Sequence, residues 1–264
     1  MNELTKRLLT AGALGTLTLY LIFESPLGFT ALLVLAVLFG LYEFLKLNNI
    51  AVLYKIICAS LVLGYGAIVV VGLPTHHPFA TLIFPIATLW WLNNFWTVSR
   101  YPAVKPDNFF ILFNAPLLLL PLFGLIELQL TNLNLLLLLL AIVWGADSFA
   151  YFSGKIFGKH KLAPNLSGGK TIEGSIGGVF GALILTIIWM FITNNFAWQF
   201  IPIALITAVF SVVGDLYESI YKRETGVKDS GNILPGHGGI LDRLDGIFAA
   251  TPVFIVMVFF ADLL

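Results

Sequence analysis

The sequence predicts an all-α, polytopic transmembrane protein of about nine spanning helices, and three observations predict it. Of 264 residues, 59% are hydrophobic and 11% charged, where a soluble domain carries about a quarter charged residues. The apolar residues gather into nine runs near the roughly 20 residues that a spanning helix needs. The 14 Lys and Arg residues lie at or beyond the ends of those runs, in alternate connections. Lipid is therefore the expected solvent. The zero net charge says little about partners; where the charges sit says more.

Taken in order, Lys6 and Arg7 precede a first run at 8–23. It ends at Glu24-Ser25-Pro26 without a small-residue cleavage site, so it reads as an uncleaved first helix and not a signal peptide. Runs follow at 27–45, 54–73, 78–96, 109–126, 133–153, 174–192, 198–220 and 246–263. Pro85, Pro116, Pro121 and Pro252 lie inside runs and read as kinks supported by neighbouring helices. Cys58, the single cysteine, excludes a disulfide framework and a Cys-based zinc site. It reads as a small hydrophobe within the third run.

The basic residues test the count. Lys46 and Lys55 follow the second run, and Arg100 and Lys105 the fourth. Lys155, Lys159, Lys161 and Lys170 follow the sixth; Lys222, Arg223, Lys228 and Arg243 follow the eighth. The connections after the odd runs have none. The positive-inside rule then puts the N-terminus in the cytoplasm and the C-terminus outside. Residues 1–130 read as a scaffold of five helices. Residues 131–264 read as the catalytic region, with cytoplasmic loops at 154–173 and 221–245. Gly174, Gly177, Gly178 and Gly181 open the seventh run with the small-xxx-small spacing of closely packed membrane helices. That packing reading outweighs a phosphate loop. No internal repeat is visible, which argues against a repeat-built transporter.

Ionisable residues within membrane runs are costly and point to function. Asp147 ends the sixth run, and Asp215 lies inside the eighth. Steps of three and four place Asp215, Glu218, Ser219 and Lys222 on one helix face. Next come Lys228-Asp229, Pro235-Gly-His-Gly-Gly239 and Leu241-Asp-Arg-Leu-Asp-Gly246. Asp242 and Asp245 are one turn apart, at a helix start whose N-terminus offsets some of their repulsion. Converging carboxylates in so apolar a chain call for a cation. Oxygen ligands without cysteine suit Mg²⁺, which binds through one or two carboxylates plus substrate phosphates. Lys222, Arg223, Lys228 and Arg243 would neutralise polyphosphate, the equipment of phosphoryl or nucleotidyl transfer. His237 reads equally as a base or phosphate donor and as a loop histidine bonded to backbone.

From Ser219 to Asp245 the chain resembles the signature of the phosphatidate cytidylyltransferases, or CDP-diacylglycerol synthases. The resemblance rests on Ser219, Lys222-Arg223, Lys228-Asp229, Pro235-Gly-His-Gly-Gly239 and Asp242-Arg-Leu-Asp245 at matching spacings. Tyr221 replaces the family's aliphatic residue or Phe, a departure expected to matter little. The resemblance extends to Asp147–Gly154, Phe157-Gly-Lys159 and Ser167–Gly174. There Gly168, Gly169 and Ile172 replace Pro, Lys and Trp, so one basic phosphate contact is missing or supplied elsewhere. It covers the C-terminal half; the first five helices match only in being apolar.

The resemblance implies transfer of CMP from CTP to phosphatidic acid at the cytoplasmic face of the inner membrane, with Mg²⁺ and release of pyrophosphate. It implies Asp215 and Asp242 as principal metal ligands, with Asp245 as a third. Lys228, Asp229, His237 and Arg243 join them in the catalytic set. Asp147, Ser167, Lys170, Thr171, Glu173, Ser219, Lys222 and Arg223 are the expected substrate-binding residues. Membrane lipids and CTP are the implied partners and nucleic acid is not; a homodimer stays open. The alternatives are a CTP-dependent polyprenol or lipid kinase and a cation-coupled transporter. A CDP-alcohol phosphotransferase is disfavoured, because its Asp-Gly-x-x-Ala-Arg pattern is absent.

Overall fold

In the computed structural model, residues 3–47, 51–70, 78–106, 111–233 and 238–264 are described. They form α1 (Glu3–Glu24), α2 (Pro26–Leu47), α3 (Val52–Val70), α4 (Pro78–Arg100), α5 (Ile111–Leu119) and α6 (Gly124–Thr131). Then come α7 (Leu133–Phe157), β1 (Lys161–Ala163), β2 (Ser167–Thr171), α8 (Ile172–Thr193), α9 (Phe200–Glu224) and α10 (Leu241–Phe260). Helices dominate because hydrocarbon offers the backbone no hydrogen bonds, so each segment must satisfy its own. Among the described residues, six stretches are long and apolar enough to cross a membrane: α2, Asn114–Thr131, α7, α8, α9 and α10. Shorter apolar stretches, Gly12–Glu24 and Val52–Ile68, lie in α1 and α3. The chain is an all-α membrane protein apart from one small hairpin.

The structure departs from the sequence reading at three places. The run at 109–126 is not one kinked helix. α5 gives way to a 3₁₀ turn at Leu120–Phe123 before α6, where Pro121 removes a backbone donor. Pro85 and Pro252, by contrast, stay inside continuous helices. The 154–173 connection is not a plain loop. α7 runs on to Phe157, and β1 pairs antiparallel with β2, Lys161 opposite Thr171 and Ala163 opposite Ser167. The 221–245 connection is shortened at both ends, since α9 reaches Glu224 and α10 begins at Leu241. Apolar runs mark hydrocarbon, whereas helical hydrogen bonding carries on into the polar turns beyond it.

The C-terminal helices pack closely because glycines let them. A Cβ on Gly178 would lie 2.6 Å from the Ala146 carbonyl oxygen, and one on Gly174 2.9 Å from that of Ala150. One on Gly181 would run into the Phe149 ring. The glycine stripe therefore joins α7 to α8, as its spacing predicts. On α9, a Cβ at Gly214 would strike the Asp245 carbonyl oxygen. That close approach sets Asp215 of α9 beside Asp245 of α10.

A buried polar chain ties the two halves together. Trp90 donates its indole N–H to Asn114 (3.1 Å), and Asn114 donates its amide to the Tyr221 hydroxyl (3.1 Å). That hydroxyl also meets Tyr217 Oη at 2.8 Å. Trp90, Trp91 and Tyr217 stack edge-on around it. Tyr221 thus has partners that satisfy its hydroxyl, which buried tyrosines require.

Candidate active site

Two lysine–carboxylate pairs form at the end of the bundle where α9 finishes and α10 begins. The i, i+3, i+4 spacing on α9 does place Asp215, Glu218, Ser219 and Lys222 along one side. Lys222 Nζ donates to Glu218 Oε2 and to Asp242 Oδ1, both at 2.8 Å. Asp242 Oδ2 accepts from the Ser230 N–H (2.9 Å), the Ser230 hydroxyl (2.9 Å) and the Gly239 N–H (2.8 Å). Asp242 thereby clamps the α9–α10 connection onto the first turn of α10.

The second pair joins Lys170 Nζ to Asp215 Oδ2 at 2.5 Å, the lysine coming from β2. Asp245 accepts from the Gly246 N–H at 2.8 Å. It lies within electrostatic reach of Asp215, Glu218, Lys170 and Asp147. Asp147, within the second half of α7, also feels Lys170 and Arg243. A cavity of about 470 Å³ opens between these groups, lined by Asp147, Lys155, Ser167, Lys170, Thr171 and Asp215 among others.

The remaining predicted residues fall into separate places. Thr171 caps α8, its hydroxyl accepting from the Gly174 N–H at 3.1 Å, a typical N-cap. Glu173 holds the turn before β1, accepting from the Lys159 N–H (3.1 Å) and the His160 N–H (3.2 Å) and meeting His160 Nδ1 at 2.6 Å. Arg223 donates Nε–H to the Leu166 carbonyl at 2.9 Å, which fastens the hairpin to α9. Ser219 is buried on α9. Lys228, Asp229 and Arg243 have exposed side chains. Asp229 packs beside Gly238, which has φ +78°, a conformation that suits glycine. His237 lies outside the described residues.

Three further residues stand at the site. Lys155 lines the cavity, and Lys161 donates to the Gly168 carbonyl at 2.7 Å. A basic group thus lies across the hairpin from the β2 segment that carries Gly168 and Gly169. Glu43 of α2, 1% exposed, accepts from the Leu241 N–H at 3.0 Å and touches Ser230 Oγ at 3.2 Å. Its position inside an apolar run was the available signal, the same one that marks Asp147 and Asp215.

A second, larger cavity of about 650 Å³ adjoins the first. It is lined mainly by apolar side chains of α4, the hairpin, α8 and α9, including Phe95, Leu162, Ile176, Val179 and Val209. Ser175 and Val212 line both cavities, so the apolar groove and the charged cavity share a wall.

The donor set fits a divalent cation of one particular habit. Formally, Asp147, Asp215, Glu218, Asp242 and Asp245 face Lys155, Lys170, Lys222 and Arg243, an excess of one negative charge. Among the described residues, no three His, Cys, Asp or Glu side chains converge on one point. Such a site suits an ion that takes one or two carboxylates and completes its shell with water and phosphate, as Mg²⁺ does.

Carboxylates, lysines and a charged cavity gathered on helices of one bundle are suited to phosphate chemistry. The chain belongs to the Cytidylyltransferase family, whose model matches residues 5–261. It is 34% identical to the phosphatidate cytidylyltransferase of Staphylococcus aureus (strain COL) over 236 residues, 87% of this chain and 90% of that one. It is 38% identical to that of Pseudomonas aeruginosa over 206 residues, 74% and 75% of the two chains. It is 50% identical to that of Haemophilus influenzae over 135 residues, 49% and 47% of the two chains.

Proposed function

We propose that this enzyme transfers CMP from CTP to phosphatidic acid, forming CDP-diacylglycerol and pyrophosphate for phospholipid synthesis. The observation that carries the reading is the adjacency of the two cavities, which share Ser175 and Val212. A groove fit for acyl chains lies beside a charged pocket fit for phosphates. The names of the relatives agree with both substrates.

The lipid phosphate oxygen attacks the α-phosphorus of CTP, forming the new P–O–P bridge as the α–β bridge breaks and pyrophosphate leaves. Both phosphates arrive ionised, so this chain need not supply a strong base. Its work is alignment and charge neutralisation. Lys155 and Lys170 line the cavity and would bind phosphate oxygens, and the exposed Lys228, Asp229 and Arg243 would complete the catalytic set. Of Asp215, Asp242 and Asp245, one or two would hold Mg²⁺ directly, which when bound supplies Lewis-acid stabilisation of the transferring phosphoryl group. Asp147 extends the acidic lining. Lys222 and Arg223 keep Asp242 and the hairpin in place.

Residues 1–130 would serve as scaffold and 131–264 as the catalytic region. Nine spans place the N-terminus and the site in the cytoplasm, at the inner membrane of the cell, where CTP is available. A reporter fused after Leu264 should then face outward; a cytoplasmic signal would remove the nine-span count. The rival activity, a CTP-dependent lipid kinase, transfers the γ-phosphoryl group instead. CTP labelled at the α- or the γ-phosphorus separates them: the account requires α-label in the lipid product, and γ-label there would overturn it.

A further inference from the structure

Glu43 is a buried carboxylate that the mechanism leaves unused. Glu43 sits near the end of α2, among Leu41, Phe44 and Leu45, which are all buried. It comes from the half of the chain that carries none of the signature residues, and it reaches the centre of the site.

Four contacts define what it does. First, its Oε2 accepts the Leu241 N–H at 3.0 Å. The α10 N-cap residue, Ile240, makes no side-chain cap, so a carboxylate from another helix takes one of the orphan donors of the first turn. A negative charge there also meets the positive end of the helix dipole. Second, Oε2 lies 3.2 Å from Ser230 Oγ, whose other neighbour is Asp242 Oδ2 at 2.9 Å. One hydroxyl therefore links the two carboxylates. Third, Oε1 is buried without a hydrogen-bond partner and presses on the backbone at Gly231, where a Cβ would run into it. Fourth, a Cβ at Gly239 would lie 2.5 Å from Oε2. Neither glycine has the positive φ that Gly226 and Gly238 show; Gly231 leaves room for Glu43, and Gly239 leaves room for Ser230 Oγ and Glu43 together.

Glu43 and Asp242 thus grip the same short segment from opposite sides. Ser230, Gly239 and the first α10 turn lie between them. We propose that Glu43 is a positioning residue that fixes this segment so that Asp242 is presented to the metal–nucleotide substrate. The proposal rests on the cytidylyltransferase reading. It adds that the α2 helix is part of the site and not only scaffold.

The test uses full-length purified Glu43→Ala, Glu43→Gln and Val37→Ala, the last a fully buried α2 residue outside the site. Glu43→Ala should lower kcat and raise the Mg²⁺ concentration for half-maximal activity by at least ~10-fold, the scale of losing a ligand's outer partner. KM for phosphatidate should stay within twofold. Glu43→Gln, which keeps an oxygen for the Leu241 N–H, should recover most of the loss. Hydrogen exchange at Ser230, Gly239 and Leu241 should quicken in Glu43→Ala and not in Val37→Ala. Wild-type kcat and Mg²⁺ dependence in Glu43→Ala would overturn the proposal. So would an equal Mg²⁺ shift in Val37→Ala, which would reduce Glu43 to general packing. Failure of the wild type to form a CDP-lipid would overturn the functional reading and this proposal together; an active wild type with an unchanged variant overturns this proposal alone.

Discussion

The Lys170–Asp215 and Lys222–Asp242 pairs have the same chemistry and are held in different ways. The first lies on the cavity wall, its side chains 24% and 29% exposed. The second is 10% and 7% exposed, with Lys222 also bound to Glu218 and Asp242 bound to Ser230 and Gly239. The difference separates two tasks that a charged site must combine. A pair at the cavity can exchange its partner for substrate phosphate or metal at little structural cost. A buried, many-bonded pair gives up its partners less readily, and its remaining bonds hold the geometry within which the exchange occurs.

Two substitutions should split the pairs most sharply. Asp242→Asn is expected to lower turnover at least about 100-fold. It should also destabilise the fold, by up to about 3 kcal/mol, because it strips charge from a buried network. Asp215→Asn should lower turnover as much, with a stability change of at most about 1 kcal/mol, since its pair is partly solvated. Thermal melts in detergent beside turnover measurements check both. Equal destabilisation by the two would erase the distinction.

A smaller effect is expected in the apolar groove. Val179→Trp should raise KM for long-chain phosphatidate about tenfold, equal to ~1.4 kcal/mol, and leave KM for CTP unchanged. A rise in the CTP value instead would move the acyl chains elsewhere. The smallest effect belongs to the surface cluster of Tyr101, Lys105 and Glu224, where Lys105 Nζ meets Glu224 Oε2 at 2.8 Å. Lys105→Ala should change neither melting temperature nor turnover measurably, as exposed ion pairs contribute little. A clear loss would mean this cluster belongs to the site.

Much of the site was legible because of chemistry that lipid makes expensive. Asp147, Asp215 and the α9 face stand out against an apolar background, and helical spacing gives their alignment. The close approach of α7 and α8 was legible from Gly174, Gly178 and Gly181. The β1–β2 hairpin was not, because three- and five-residue strands bounded by glycine leave no periodicity to read. Nor was the broken α5–α6 segment, since Pro116, Pro121, Pro85 and Pro252 look alike in sequence and only Pro121 coincides with a 3₁₀ turn. Glu43 carried the right signal, but the Leu241 amide that it caps is 198 residues away. Asp242 was legible as acidic; that four donors fix its two oxygens was not.

The central claim is that these carboxylates and lysines form one metal-dependent nucleotidyl-transfer site. Purified protein in detergent, given CTP and phosphatidate, should release pyrophosphate in step with CDP-lipid formation, only when Mg²⁺ is added, and not in Asp215→Asn. Pyrophosphate release that persists without Mg²⁺, or that survives in Asp215→Asn, would contradict it.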